Sequence, residues 1–386
     1  MVKTGSGSIV DHFVELEDPR IGRNRRHKLI DIVVLTVCAV ISGCETWEDI
    51  QDYGDFKLEW LKRFLELPHG IPSHDTIRRL FIRLDPQSLQ RCFFSWVEAV
   101  REQTDGDVVA IDGKTLRRSG DRASSKMPIH MVSAWAAANG MVLAQVKTGE
   151  HSNEITAIPA LLDLLKVKGC IVTIDAEGCQ IDIAKKIRDK RADYVLAVKG
   201  NQPGLLEQIK DFFDDVTDED IAEPWLEKYH DVDKGHGRVE IRECYHSDEI
   251  AALPRVKQFA GAKSIAMVRG TRIIAEKRTT QERYFISSME MDAERLAHAV
   301  RTHWSVENGL HWTLDMSFRE DDSRMREGHS AENFAMMRRM ALSIMKRDTH
   351  SKRSLKGRRR ICSYHDTYLE QLLFNSEETI SQLRPG

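Results

Sequence analysis

The sequence predicts an α/β fold: a core of mixed strands and helices, interrupted by a β-rich insertion and preceded by an all-helical N-terminal domain. Three observations predict it. Apolar residues recur at helical spacing from Asp11 to about Val100. The pattern changes to β-branched runs after Asp105-Gly106. Strand-like and helix-like stretches then alternate up to Phe213, before a polar, strand-rich segment begins.

The elements follow in order. Residues 1–10 read as a loose leader. The apolar stretch from Leu29 to Cys44 reads as a buried helix, and Trp47 to Leu67 as helical, ended by Pro68 and Gly70. Ser73 is placed to cap a helix carrying Arg78, Arg79 and Arg83, which could be the second helix of a helix-turn-helix. Val108–Asp112 reads as a strand. Met131–Ala138 and Met141–Lys147 form a hairpin around Asn139-Gly140. A helix over Ile158–Val167 is introduced by Pro159, followed by strand Cys170–Asp175, helix Gln180–Lys190, strand Tyr194–Val198 and a helix opened by Pro203. This βββαβα order is the ribonuclease H arrangement, whose fourth strand can lie parallel beside its first. Residues of about 215–285 form the insertion, with strand-like Val239–Tyr245, Ile265–Arg269 and Tyr284–Ser288. Helical periodicity resumes at Ala293 and runs past Trp312, and another helix covers Ala331 to Met345. The expected domains are 1–104 (helical), 105–350 (α/β with its insertion) and 351–386 (a basic C-terminal tail).

Composition narrows the class. The 386 residues are 41% hydrophobic and 30% charged, enough for a sizeable core, and the net charge is only −3. Basic residues cluster locally, at Arg20, Arg23, Arg25, Arg26 and Lys28, and again over Lys346–Arg360, as suits a phosphate backbone. Seven scattered cysteines without a Cys-x-x-Cys pair argue for free thiols in a reducing cytoplasm. No secretory leader is legible, and the Leu29–Cys44 stretch, which carries Asp31, is too short to cross a bilayer comfortably, so no membrane partner is expected.

Three acidic residues stand out. Asp112 and Asp175 each close a β-branched apolar run, and Glu307 sits in an amphipathic helix. On neighbouring parallel strands the two aspartates would be close enough to share metal ions. Crowded carboxylates repel unless a cation compensates, and hard divalent cations need oxygen ligands. A metal pair so held clamps the attacking and leaving oxygens of an in-line phosphoryl displacement. His303 and His311 share a helix face with Glu307 at four-residue spacing, a set that could bind a transition metal by itself. Asp315, about 80° around an ideal helix from Glu307, is the alternative third ligand, and Glu320, Asp321 and Asp322 are further acids within reach. Lys199 and Asn201 follow a strand whose end should lie near the same edge. They could contact phosphate or a flipped base, as could His236-Gly237-Arg238, Arg324 and Arg326.

The stretches Ala110-Ile111-Asp112-Gly113-Lys114, Ile174-Asp175-Ala176 with Gly178-Cys179-Gln180, Lys199-Gly200-Asn201-Gln202, His236-Gly237-Arg238 and His303-Trp304-Ser305-Val306-Glu307-Asn308 occur in that order. His311-Trp312, Phe318-Arg319-Glu320-Asp321 and Arg324-x-Arg326 extend the last of them. In these motifs, over about residues 8–350, the chain resembles the DDE transposases of bacterial insertion sequences, in particular the H-repeat-associated group found beside Rhs elements. The resemblance implies a ribonuclease H-like catalytic core, Mg²⁺ or Mn²⁺ as cofactor, and cleavage and transfer of DNA strands. It places the triad on Asp112, Asp175 and Glu307. DNA contacts are then expected from Lys114, Lys199, Asn201, Arg238, His303, His311, Arg324 and Arg326.

The implied partners are double-stranded DNA, as terminal inverted repeats and target, and further copies of the chain in a homodimer or higher assembly. The implied location is the cytoplasm, at the nucleoid. The alternative is a catalytically inactive, transposase-derived DNA-binding protein. The chain departs from the Tyr-x2-Arg-x3-Glu-x6-Lys pattern of the larger group, carrying Val300, His303, Glu307 and Leu314 at those positions, with His303 in the arginine's place. It also carries Glu177 where an apolar residue is expected.

Overall fold

The strands β1 (Val108–Leu116), β2 (Ile129–Ala136), β3 (Met141–Lys147), β4 (Ile171–Ile174), β5 (Asp193–Val198), β6 (Leu226–Gly235), β7 (Arg238–Ser247), β8 (Ser264–Ile274) and β9 (Lys277–Ser287) join in one mixed sheet. Their order is β3-β2-β1-β4-β5-β9-β8-β7-β6. The structure is a computed structural model that describes residues 9–22, 25–101, 106–121, 127–149, 153–216, 223–235, 237–275, 277–348 and 351–374. Asp105, Arg23, His236 and most of the leader, all singled out in the sequence, lie outside the described residues, as do residues 375–386.

Val108 to Ile111 are all buried, as befits a central strand covered on both faces. Strand β1 pairs antiparallel with β2 and parallel with β4, and β4 pairs parallel with β5. The β2–β3 hairpin turns at Gly140, whose φ of 63° suits glycine. The insertion does not form a separate unit. Strand β9 pairs antiparallel with β5, from Val195↔Ser287 to Val198↔Tyr284, so β6–β9 extend the core sheet. Their ends near β5 are buried, while the far half of β9 is exposed and projects as a ribbon. Strand β6 carried no sequence signal because nearly all of it is exposed, leaving no apolar alternation to read.

The helices are α1 (Ile9–His12), α2 (Leu29–Ser42), α3 (Trp47–Phe56), α4 (Leu58–Leu61), α5 (His74–Arg83), α6 (Pro86–Val100), α7 (Glu154–Leu164), α8 (Ile181–Asp189), α9 (Pro203–Asp214), α10 (Ala293–His303), α11 (Trp312–Phe318), α12 (Ser330–Lys346), α13 (Leu355–Tyr364) and α14 (Asp366–Phe374). Helix α7 starts one turn earlier than Pro159 suggested, leaving that proline inside it. Helix α10 lies across the middle of the sheet. Its Leu296, Ala299 and Val300 pack against Val108, Ile171, Val195, Ala266 and Phe285, so it crosses where the core strands meet the ribbon.

Helix α2 is buried along nearly its whole length and packs against α12 and α13. Among the described residues, no single helix is long and apolar enough to cross a membrane. The segment expected as a basic tail contains α13, whose Arg358 and Arg359 turn inward. Arg359 Nη2 donates to Val40 O at 2.7 Å, adding to the 3.3 Å bond from the Gly43 N–H at the end of α2. Asn333 of α12 likewise donates from Nδ2 to Phe81 O and Leu84 O, at 2.8 and 2.9 Å, at the end of α5. Asn333→Ala strands both carbonyls, so a loss of about 2 kcal/mol in urea unfolding is expected. An unchanged midpoint would mean that the two bonds do not tie α5 to α12.

Candidate active site

The parallel ladder of β1 and β4 ends at Ile111↔Ile174. One register step further, the chain offers Asp112 and Asp175 side by side. Asp112 does not end its strand, as the sequence suggested. Strand β1 continues to Leu116 because β2 pairs with it throughout, Asp112 lying opposite Ser133. At Asp175 the chain leaves the sheet in a tight turn, and the carboxylate accepts from the Glu177 N–H at 3.0 Å. That turn packs closely: a Cβ on Gly178 would lie 2.2 Å from Ile174 Cγ2. Asn201, in the loop after β5, donates from Nδ2 to Ala176 O at 2.5 Å and pins the turn from the other side.

Glu307 arrives from the opposite direction. Beyond α10 the chain winds into one π-helical turn, Glu307–His311, before α11. Such wide turns are rare and cluster at functional sites. Two histidines, one ending α10 and one ending this turn, face the strand ends. His303 Nδ1 lies 3.0 Å from Thr173 Oγ1 on β4, and His311 Nδ1 faces Asp112 Oδ2 at 3.5 Å. Burial pushes His303 down to about 4 and His311 to about 3, so both rings are neutral at pH 7.

Asp112, Asp175 and Glu307 therefore line one cavity of about 660 Å³, with Thr173, Lys199 and His303. Burial pushes the Asp112 carboxyl up to about 7, and the negative charges of Glu154, Asp175 and Glu307 add to it. Asp175 is raised by burial and by Glu154, against the opposing pull of Lys199. Glu154 is a fourth carboxylate that the sequence reading missed. It opens α7, and its Oε1 lies 2.8 Å from His130 Nε2. The pair lies directly over Gly113, where a Cβ would stand 2.0 Å from Glu154 Oε1 and 2.4 Å from His130 Nε2. The glycine of the Ile-Asp-Gly stretch is thus explained by close approach rather than by a turn. Helix α7, expected from Ile158, hid Glu154 outside its predicted start.

The donor set suits a hard divalent cation: carboxylate oxygens, part-buried and crowded, which favour ionisation only when a cation stands among them. Among the described residues, no three His, Cys, Asp or Glu side chains already converge on one ion-sized point.

The remaining residues singled out in the sequence are dispersed. Lys199 is exposed at the cavity. Lys114, expected at DNA, is instead buried, its Nζ 2.7 and 2.8 Å from the Asp315 carboxylate and 3.3 Å from Asp321. Asp315, the alternative third ligand, is committed to that lysine. Arg238 pairs with Glu240 at 3.0 Å in a larger groove beneath the ribbon, which Glu307 also lines. Arg324 and Arg326 line a separate cavity, and Arg326 Nε donates to Arg118 O at 2.9 Å.

The Asp112 carboxyl sets a pH dependence of stability. Its folded pKa of about 7 lies above the ordinary 3.8, so the folded state holds the proton to higher pH. Without metal, stability falls as pH rises from about 4 to 7 and stays low above that. Asp112→Asn is therefore expected to be more stable than the wild type at pH 8 in EDTA, by about 1–3 kcal/mol, with the gap closing at pH 4. Urea unfolding at both pH values measures it, and a variant less stable at pH 8 contradicts the crowding.

Two family models match the chain: "Transposase DDE domain" over residues 103–344 and "DDE_Tnp_1-associated" over residues 10–97. The chain is 40% identical to "Putative transposase YncI" of Escherichia coli O157:H7, covering 96% of this chain and 95% of that one. It is 41% identical to "H repeat-associated putative transposase YhhI" of Escherichia coli (strain K12), covering 95% and 98%. "Inactive transposase YbfQ" of the same strain is 47% identical, covering 19% of this chain and 86% of that one.

Proposed function

Because the chain belongs to the family of transposases with the DDE domain, we propose that it cuts and transfers DNA strands at the ends of an insertion sequence, using Asp112, Asp175 and Glu307. The observation that carries this reading is the end of the β1–β4 ladder, which leaves two aspartates adjacent in a cavity that Glu307 completes. Asp112, Asp175 and Glu307 would hold Mg²⁺ or Mn²⁺, which supplies Lewis-acid activation of a water or a 3′-hydroxyl and stabilises the departing oxygen. Glu307, exposed on its π turn, is the side chain with room to close the set.

The neighbouring residues take supporting roles. Neutral His311 orients Asp112, and His303 fixes the end of α10 to β4, as partners behind metal ligands do. Lys199 stands beside Asp175, where it would meet a phosphodiester. Arg283, stacked 4.3 Å over Trp304 beside Glu307, offers a second cation to the same strand. The N-terminal helices of residues 1–104 and the ribbon would bind the element's ends as double-stranded DNA. Residues 105–350 would carry the chemistry, and a homodimer or larger assembly would bring two ends together. Such work belongs at the nucleoid in the cytoplasm.

A silent DNA-binding descendant is the second reading. Glu177 favours it, adding an anion two residues from Asp175, and a relative bears the name inactive.

The test is cleavage of linear DNA carrying the inverted repeats that flank the gene, in Mg²⁺, Mn²⁺ and EDTA. Metal-dependent cutting at the repeat boundary is expected. It should fall at least about 100-fold in Glu307→Gln and about 10–100-fold in His311→Ala, the latter being the usual cost of losing a ligand's partner. Binding without cutting in either metal would favour the silent reading. Cutting that survives Glu307→Gln would remove Glu307 from the set.

A further inference from the structure

A second cavity, of about 530 Å³, opens away from the carboxylates, between the start of α3, helix α5 and the segment of residues 319–327. Arg338 of α12 forms part of its lining although only 3% exposed. Its guanidinium stacks on the Phe334 ring, 4.5 Å from the centroid. Among the described residues it finds no hydrogen-bond acceptor and no carboxylate at ion-pair distance. Arg339 takes the nearby Glu320, with Nη1 2.6 Å from Oε1.

The other cations of the cavity are largely paired. Arg319 lies 3.3 Å from Glu45 and 3.2 Å from Asp322, and Arg78 contacts Glu327. Arg324, exposed at the rim, has no partner among the described residues. Glu48, also at the rim, is exposed and so screened by solvent. Holding an unpaired guanidinium inside a protein costs several kcal/mol in desolvation. A fold that only needed to fill this space would do better with an apolar side chain of similar volume. An anion entering the cavity would recover that cost with charge-assisted, forked hydrogen bonds.

We infer that this cavity binds a phosphate group, with Arg338 at its base and Arg324 at its rim. The shared chemistry admits two sources, the phosphodiester of a DNA backbone and a free phosphate. The site lies on elements other than those of Asp112, Asp175 and Glu307, so it stands or falls separately from the cleavage reading.

The test uses the full-length protein in EDTA, so that no cutting is needed. Melting temperatures are measured in rising inorganic phosphate at fixed ionic strength. Binding of a short duplex is measured by anisotropy, with and without phosphate as competitor. The wild type should show a saturable rise of about 3 °C, and Arg338→Met none. Without phosphate, Arg338→Met should melt no lower than the wild type, because it removes a buried unpaired charge.

If Arg338→Met folds poorly, the exposed Arg324→Ala decides, with a weakened response to phosphate expected. Duplex binding that phosphate displaces and Arg338→Met weakens would assign the site to the DNA backbone. A phosphate response without competition against the duplex would assign it to a free phosphate. No phosphate response in the wild type, or an equal response in both variants, overturns the inference.

Discussion

Charge crowding at the end of the β1–β4 ladder is the constraint to which the neighbouring structure answers. Asp112 and Asp175 are brought together by parallel pairing, a backbone interaction indifferent to what their side chains carry. Glu154 and Glu307 then close in from α7 and from the turn after α10. Burial, with repulsion among these groups added to it, lifts the Asp112 carboxyl toward neutrality. An arrangement that destabilises the empty protein persists where something bound relieves it, and a divalent cation does so most directly.

The scaffold resists that repulsion with short, specific restraints, beside the cations Lys199, Lys210 and Arg283 that line the cavity. Helix α10 is pressed onto the sheet by Leu296, Ala299 and Val300. His303, kept neutral by burial, fastens the end of α10 to β4, and neutral His311 faces Asp112 without adding charge. Asn201 pins the Asp175 turn through its backbone, leaving the carboxylate to the Glu177 N–H and the pull of Lys199. Lys114, the nearest cation along β1, is drawn away by Asp315 and Asp321. The second cavity shows the converse, a buried cation with no carboxylate at ion-pair distance among the described residues.

Much of this was legible in the sequence because it rests on local signals. The apolar runs before Asp112 and Asp175 marked the two strands, and Asn139-Gly140 marked the hairpin. The strand-helix order was enough to expect the first and fourth strands side by side. What escaped depends on contacts distant in the chain. Strand β6 is mostly polar and exposed, and is held by its partner β7 and by contacts with α10 such as Arg301 with Asp231. Glu154 is held near Asp112 by His130, 24 residues away. Lys114 looked like a phosphate contact until α11 supplied Asp315, 201 residues on. Arg358 and Arg359 belong to a run that reads as a solvated tail, yet burial claims them as partners for carbonyl groups at helix ends.

The most direct test is calorimetric titration of the metal-free protein with Mn²⁺ near pH 6.5, in buffers of different ionisation enthalpy. Asp112 must shed its proton before it can serve as a ligand, so binding should release protons. In Asp112→Asn that release should disappear and the affinity should drop. Binding that is as tight in Asp112→Asn, or that releases no protons in the wild type, would mean that the crowded carboxylates are not a cation site.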